Sequence, residues 1–445
     1  MSNLKKSTLW SIVEFAAVVF IQFFVMRYIV LALGVGALGI WAVLMSAAQI
    51  ASFFDLGASA GTSRFLAMAT VDADLPRMES ILGAIIYVTI PMYLVLSAIL
   101  FLPLSHGLGW VLQGHALIEG RALLIFAVAS YVSQIIASSF ASSLTGLHLG
   151  YRKSQIAVAA ITLQAILSLI LIRRYGLQGL AIAQITNYTF SVLAALSILK
   201  WSVGIRLTRL LRCDVPTIRS VMSFGMGVQV SSLAWGAFET SIRFIMSRFG
   251  GIDQVGVYEI AYKISSQPRV LAFYMGQSLG PMLASLGVSD KPGLMALYRK
   301  VYARLTLFAV LAAVAILILS PLTSLIMLRQ FKWTFVLFSA LTACGTMGHI
   351  IAIPCELTAV SLGVLRYNIA GTLTALGAML LLGPLLGSVF NGTGVAIAVL
   401  LASSLAVSIP VIFNNRMLTL PRFPSFRQDL HLGGLLADLR FRGGA

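Results

Sequence analysis

At 445 residues the chain could bury a large core, yet 59% of it is hydrophobic, 10% is charged and the mean hydropathy is +0.95. No soluble domain has that composition, and apolar runs of about 20 residues, enough to cross about 30 Å of hydrocarbon, recur from end to end. This identifies a polytopic helical membrane protein and excludes a β-barrel, whose short alternating strands give no such runs. The net charge of +17 does not mark a nucleic-acid partner, because the bases gather in alternate loops as topology determinants facing anionic lipid.

In chain order, Lys5 and Lys6 precede an apolar run that contains Glu14 and is too long for a signal h-region, so it reads as an uncleaved first span. Twelve spans are predicted: 8–33, 39–69, 80–104, 122–147, 156–174, 177–199, 220–248, 255–286, 302–328, 333–361, 367–388 and 392–413. With the N-terminus inside, 21 of the 31 Lys and Arg residues face the cytoplasm, 5 face out and 5 lie within spans. That asymmetry places both termini in the cytoplasm.

Span 2 carries Asp55 near mid-depth and Arg64 near the inner surface, with Gly57 and Gly61 spaced for close helix approach. The charged connection after Lys200 divides the chain into an N-terminal six-helix lobe (1–200), a basic cytoplasmic linker (201–219), a C-terminal six-helix lobe (220–413) and a basic cytoplasmic tail (414–445). The halves resemble copies. Gly34-x4-Gly39-Ile-Trp matches Gly251-x4-Gly256-Val-Tyr at an offset of 217, Gly146 matches Gly363 at the same offset, and Gln178–Ala183 matches Thr393–Ala398 at 215. Six spans per copy make the repeat parallel, which puts a substrate site at the interface of the halves.

A charge near the bilayer centre costs about 2.5–3.5 kcal/mol and faces a wet cavity or a partner. The acids within spans are Glu14, Asp55, Glu239, Glu259 and Glu356; the bases are Arg27, Arg243, Arg248, Lys263 and Arg269. Glu259 and Lys263 share one face of span 8, as do Glu239 and Arg243 in span 7. Pro268 is expected to kink span 8 before Arg269. Arg27 and Arg243 lie roughly 9 Å below the outer ends of their spans, Lys263 roughly 12 Å and Arg269 roughly 21 Å, so these four could line one polar path for an anion. Arg248 is expected to snorkel to the interface. His349 and Glu356 are seven apart on span 10, open to reading as a proton relay or as a packed histidine.

Cys213, Cys344 and Cys355 have no metal-ligand spacing, so no metal, cofactor or redox role is expected. Neither a Walker-type loop nor a nucleophile elbow is present, and the loops are too short for a catalytic domain. The expectation is a transporter, not an enzyme.

Phe54-Asp-Leu-Gly-x6-Arg64, Gly256-Val-Tyr-x2-Ala-Tyr-Lys-Ile264 and the Gly-Leu-Ala-Ile-Ala-like ends of the copies resemble the bacterial polysaccharide (O-antigen type) flippases of the multidrug/oligosaccharidyl-lipid/polysaccharide (MOP) exporter superfamily. The resemblance covers nearly the whole chain. It implies a MATE-like all-α fold in the inner membrane and ion-coupled alternating access for an undecaprenyl-diphosphate-linked oligosaccharide, with a polysaccharide polymerase or chain-length complex as possible partner. Under it, Arg27, Arg243, Lys263 and Arg269 become diphosphate candidates, Glu14, Asp55, Glu239, Glu259, His349 and Glu356 ion-coupling candidates, and Arg64 a gate or headgroup contact. The alternatives are a drug/cation antiporter of the same superfamily, which should have an acidic cleft, and a non-transporting scaffold of a glycan-synthesis complex, which would tolerate neutral substitution of these charges. A major-facilitator carrier is disfavoured because Ala69–Arg77 lacks that family's loop motif.

Overall fold

A computed structural model of the chain describes residues 3–51, 58–71, 74–206, 215–277, 283 and 291–420. All its described elements are helices: α1 (Asn3–Leu33), α2 (Val35–Gln49), α3 (Ala58–Val71), α4 (Leu75–Val111), α5 (Gly114–Gly146), α6 (Gly150–Val203), α7 (Val215–Gly250), α8 (Ile252–Gln277), α9 (Lys291–Leu328), α10 (Trp333–Ser361) and α11 (Arg366–Met417). Among the described residues seven helices are long and apolar enough to cross a bilayer, two of them 54 and 52 residues long. Those two, α6 and α11, are each broken near the middle, at Gly176 and at Phe390–Asn391.

Local chemistry sets the helix ends. Asp74 caps α4 by accepting the Arg77 backbone N–H at 3.0 Å, and Pro76 sits in the first turn, where its missing N–H costs nothing. With no water in the hydrocarbon, hydroxyls donate to their own helix: Ser46 to the Ala42 carbonyl, Thr342 to Phe338 and Thr358 to Pro354. The last helix extends to Met417, so Asn414 and Asn415 are buried helical residues and not part of a tail; 421–445 lie outside the described residues.

The backbone carries the internal repeat more clearly than the side chains do. Ten described residues have positive φ: Gly34, Gly114, His148, Gly176, Gly204, Gly251, Arg329, Gly363, Asn391 and Thr419. They form five pairs, Gly34/Gly251 at an offset of 217 and Gly114/Arg329, His148/Gly363, Gly176/Asn391 and Gly204/Thr419 at 215. At the third pair the bonding is duplicated. Leu149 and His148 donate to Leu144 and Thr145, while Val364 and Gly363 donate to Ala359 and Val360, the double bond of a Schellman ending. The counterpart of Gly363 is therefore His148, correcting the expected match with Gly146 by two residues. Glycine identity misleads there because either residue can hold the left-handed position. Likewise Gly179 packs on the Leu171 carbonyl and Gly394 on the Leu386 carbonyl, both again 215 apart.

The chain forms two compact units, Met1–Gly256 and Val257–Ala445. In the first, α6 packs on α1 and α5, and α7 packs on α2, α3 and α4, with Ser247 donating to the Val111 carbonyl at 2.8 Å. Also in this unit α2 crosses the start of α8 in backbone contact. A methyl group on Gly39 would overlap the Ile252 carbonyl, and one on Gly256 would overlap that of Val35. In the second unit α10 packs on both α9 and α11, and Phe335, Phe338, Ile350 and Ala352 are fully buried.

Candidate functional site

In the first unit the most organised polar group lies on α7. Trp235, Glu239 and Arg243 follow at four-residue steps, so one helix face stacks them. The indole N–H of Trp235 donates to Glu239 Oε1 at 3.1 Å, and Arg243 Nη1 lies 3.5 Å from Glu239 Oε2. Arg243 also reaches the Glu239 carbonyl at 3.4 Å. Both charged side chains are largely shielded, 13% and 23% exposed, so the pair is more than a screened surface contact. The expected Glu239–Arg243 pairing is thus present, with Trp235 as a third member. On the adjoining stripe Ala234, Phe238, Ile242 and Met246 are buried and anchor α7.

The other charges of this unit are dispersed. Arg27 is exposed on α1 and has no ion-pair partner among the described residues. Glu14 accepts a 2.6 Å hydrogen bond from Ser154 on α6. Farther along α6, Asn187 donates to Gln164 across the Gly176 break. Sequence reasoning passed over Ser154, Gln164 and Asn187, because neutral amides and hydroxyls are common in membrane helices. Arg248 is exposed in the last turn of α7. Asp55, Gly57 and the Arg64 side chain lie outside the described residues.

In the second unit α8 runs unbroken through Pro268. The Lys263 carbonyl, in the turn before that proline, accepts from Ser266 Oγ at 3.2 Å and Gln267 Nε2 at 2.7 Å. The expected Glu259–Lys263 pair does not form: Glu259 is buried at 5% exposure and engaged in other contacts, while Lys263 is half-exposed.

Arg269 differs from expectation in the other direction. No acid follows it on its own helix, yet it lies within electrostatic reach of both His349 and Glu356 on α10. The two helices pack together, Ser265 of α8 donating to the Ser339 carbonyl of α10 at 3.4 Å. The Glu356 carbonyl accepts from Asn368 Nδ2 at 3.3 Å, and Asn414 Nδ2 donates to Asn368 Oδ1 at 2.9 Å, so α10 and the two arms of α11 are tied at this level. Arg27 and Arg243 belong to the first unit, Lys263 and Arg269 to the second. Among the described residues no three His, Cys, Asp or Glu side chains converge as a metal would require.

A search of curated proteins finds no match. Solved structures do match in fold. A multidrug resistance MATE family transporter of the MOP superfamily, in its inward-facing conformation, aligns at 15% identity over 89% of this chain and 98% of that one, with a TM-score of 0.68. Lipid II flippase MurJ, in an inward closed conformation, aligns at 15% identity over 93% and 88%, with a TM-score of 0.62. A MOP superfamily transporter from Pyrococcus furiosus, described as having a binding pocket of reverse polarity, gives 14%, 94%, 93% and 0.56. At such identities the likeness is one of fold. The sequence itself matches the polysaccharide biosynthesis protein family over residues 4–286, more than half of the chain, and the chain belongs to that family.

Proposed function

We propose that this protein is a flippase that moves a polyprenyl-diphosphate-linked oligosaccharide, the repeat unit of an O-antigen or exopolysaccharide, from the inner to the outer leaflet of the bacterial inner membrane. The observation that carries the reading is Arg243, a shielded guanidinium on a polar helix face in a family of polysaccharide biosynthesis proteins. A guanidinium matches two phosphate oxygens at once, and a diphosphate is the one anionic group that every such cargo shares. In this reading Arg27, Arg243, Lys263 and Arg269 take the diphosphate at successive stages of an alternating-access cycle. Arg64 contacts the headgroup on the cytoplasmic side, where both termini also lie. Coupling to an ion gradient draws on Glu14, Asp55, Glu239, Glu259, His349 and Glu356, foremost the two that face Arg269. A polymerase or chain-length complex would receive the flipped unit, and anionic lipid would hold the basic cytoplasmic surface.

One observation favours a second reading. Glu239 opposes Arg243 and Glu356 opposes Arg269, so the intramembrane charge is closer to balance than a dedicated anion path requires. A drug/cation antiporter on the same fold tolerates that balance. The two readings part in a complementation experiment. Arg243→Ala and Arg27→Ala, in protein shown to reach the membrane, should abolish surface polysaccharide and leave susceptibility to organic cations unchanged. Full polymer with both variants would reject these residues as diphosphate ligands, and altered cation susceptibility would favour the antiporter.

A further inference from the structure

The chain has six tryptophans, and Trp235 is set apart from the others by its place. Trp41, in the middle of the short α2, is buried at 5% exposure, whereas Trp10, Trp110, Trp201 and Trp333 lie near helix ends, the last three strongly exposed there, at 83%, 79% and 67%. That is the interfacial belt, where an amphipathic ring meets headgroups. Trp235 is the twenty-first residue of the 36-residue α7 and lies roughly 22 Å by helical rise from its Gly250 end. A belt role does not place an indole there.

The surroundings of Trp235 exclude an acyl-chain contact as well. The face of α7 bearing Ser232, Trp235, Glu239 and Arg243 is exposed at Ser232 and partly buried at the other three, Arg243 and Glu239 keeping 13% and 23% of their side chains exposed. Facing hydrocarbon, it would desolvate an ion pair. Phe238, buried at 2% exposure, backs the indole with ring centroids 5.3 Å apart, and the hydrogen bond to Glu239 Oε1 fixes the indole's rotation. The result is an oriented aromatic plate on a polar face, with a carboxylate and a guanidinium in line beside it.

We infer that Trp235 is the platform on which a pyranose ring of the cargo stacks, with Glu239 accepting from the sugar hydroxyls and Arg243 taking the adjoining phosphate; this rests on the flippase reading above. The apolar C–H face of a pyranose suits a flat ring, while its hydroxyls require acceptors at the ring's edge. A neutral sugar fits better than a cation because Arg243 already neutralises Glu239. Trp235 would then supply affinity for the glycan separately from the affinity for the diphosphate.

The test uses the purified full-length chain in lipid nanodiscs with two probes: farnesyl diphosphate, and the same diphosphate linked to N-acetylglucosamine. The wild type should bind the glycosylated probe more tightly by roughly three- to tenfold, the increment of one aromatic packing contact. Trp235→Leu should bind both probes equally, at the wild-type affinity for the bare diphosphate, and Trp235→Phe should keep most of the preference. Trp235→Met replaces the leucine variant if the latter loses the bare probe. A preference that survives removal of the ring, or equal binding of the two probes by the wild type, overturns the inference alone. Wild-type protein that binds neither probe overturns the flippase reading and the inference with it. Trp235-dependent binding of tetraphenylphosphonium in place of the sugar also overturns it.

Discussion

Gly39 and Gly256 occupy the space that each other's missing side chain leaves. A methyl group on Gly39 would come within 3.0 Å of the Gly256 backbone nitrogen and into the Ile252 carbonyl, and one on Gly256 would strike the Val35 carbonyl. Adding 217 to 39 and 35 gives 256 and 252, so the crossing is reciprocal: each copy of the repeat presents the same glycine to the same carbonyl of the other. Position 36 meets its own counterpart, since a methyl group on Gly36 would lie 2.6 Å from Asp253 Oδ1. Two helices can touch backbone to backbone only where both lack a Cβ.

Gly39→Val and Gly256→Val should therefore destabilise by at least the roughly 1–3 kcal/mol typical of overpacking, because the obstructing atoms are backbone and cannot rotate away. Gly377→Ala, with nothing within 4 Å of the added methyl, serves as the control. The thermal midpoint of the purified protein should fall for both valine variants and stay or rise slightly for Gly377→Ala. An unchanged midpoint in both valine variants would contradict the crossing.

The paired left-handed positions predict opposite signs for substitutions in the two copies. Gly176→Ala and Gly363→Ala each place a Cβ at φ 55 and φ 77 and should cost about 1–2 kcal/mol. Asn391→Gly and His148→Gly relieve the same conformation at their counterparts and should be neutral within about 0.5 kcal/mol. Thermal midpoints of the four variants check this, and equal losses in all four would refute the assignment of equivalent turns.

Arg269 and Glu356 are expected to act as a pair across helices. Neutralising either one strands the other in a poorly hydrated place, so Arg269→Gln and Glu356→Gln should each lower stability more than their combination implies. A double-mutant cycle on the thermal midpoint should show a coupling of about 0.5–3 kcal/mol. Additive losses would mean that the two charges do not sense each other.

The helical, polytopic character was legible because hydrocarbon thickness dictates the length of apolar runs, and the Gly34/Gly251 match was legible because both copies kept glycine. The other four turn pairs were hidden. His148, Arg329, Asn391 and Thr419 hold left-handed backbone without glycine, which surrounding packing permits and local sequence does not announce. Candidate-site residues divide the same way. The Glu239–Arg243 pair follows from helical spacing. The opposition of Arg269 to Glu356 depends on which helices become neighbours, and that information is spread over both cores. Trp235 was overlooked because an aromatic in a membrane span is ordinary until its depth and its partner Glu239 are seen together.

The central claim is that this chain carries a lipid-diphosphate-linked glycan across the bilayer. Its most direct test is the exposure of that lipid-linked unit to a glycosidase added outside spheroplasts, with the chain depleted and then restored as wild type or as Arg243→Ala. Depletion should leave the unit protected, wild-type protein should expose it, and Arg243→Ala should not. Equal exposure with and without the chain would contradict the account.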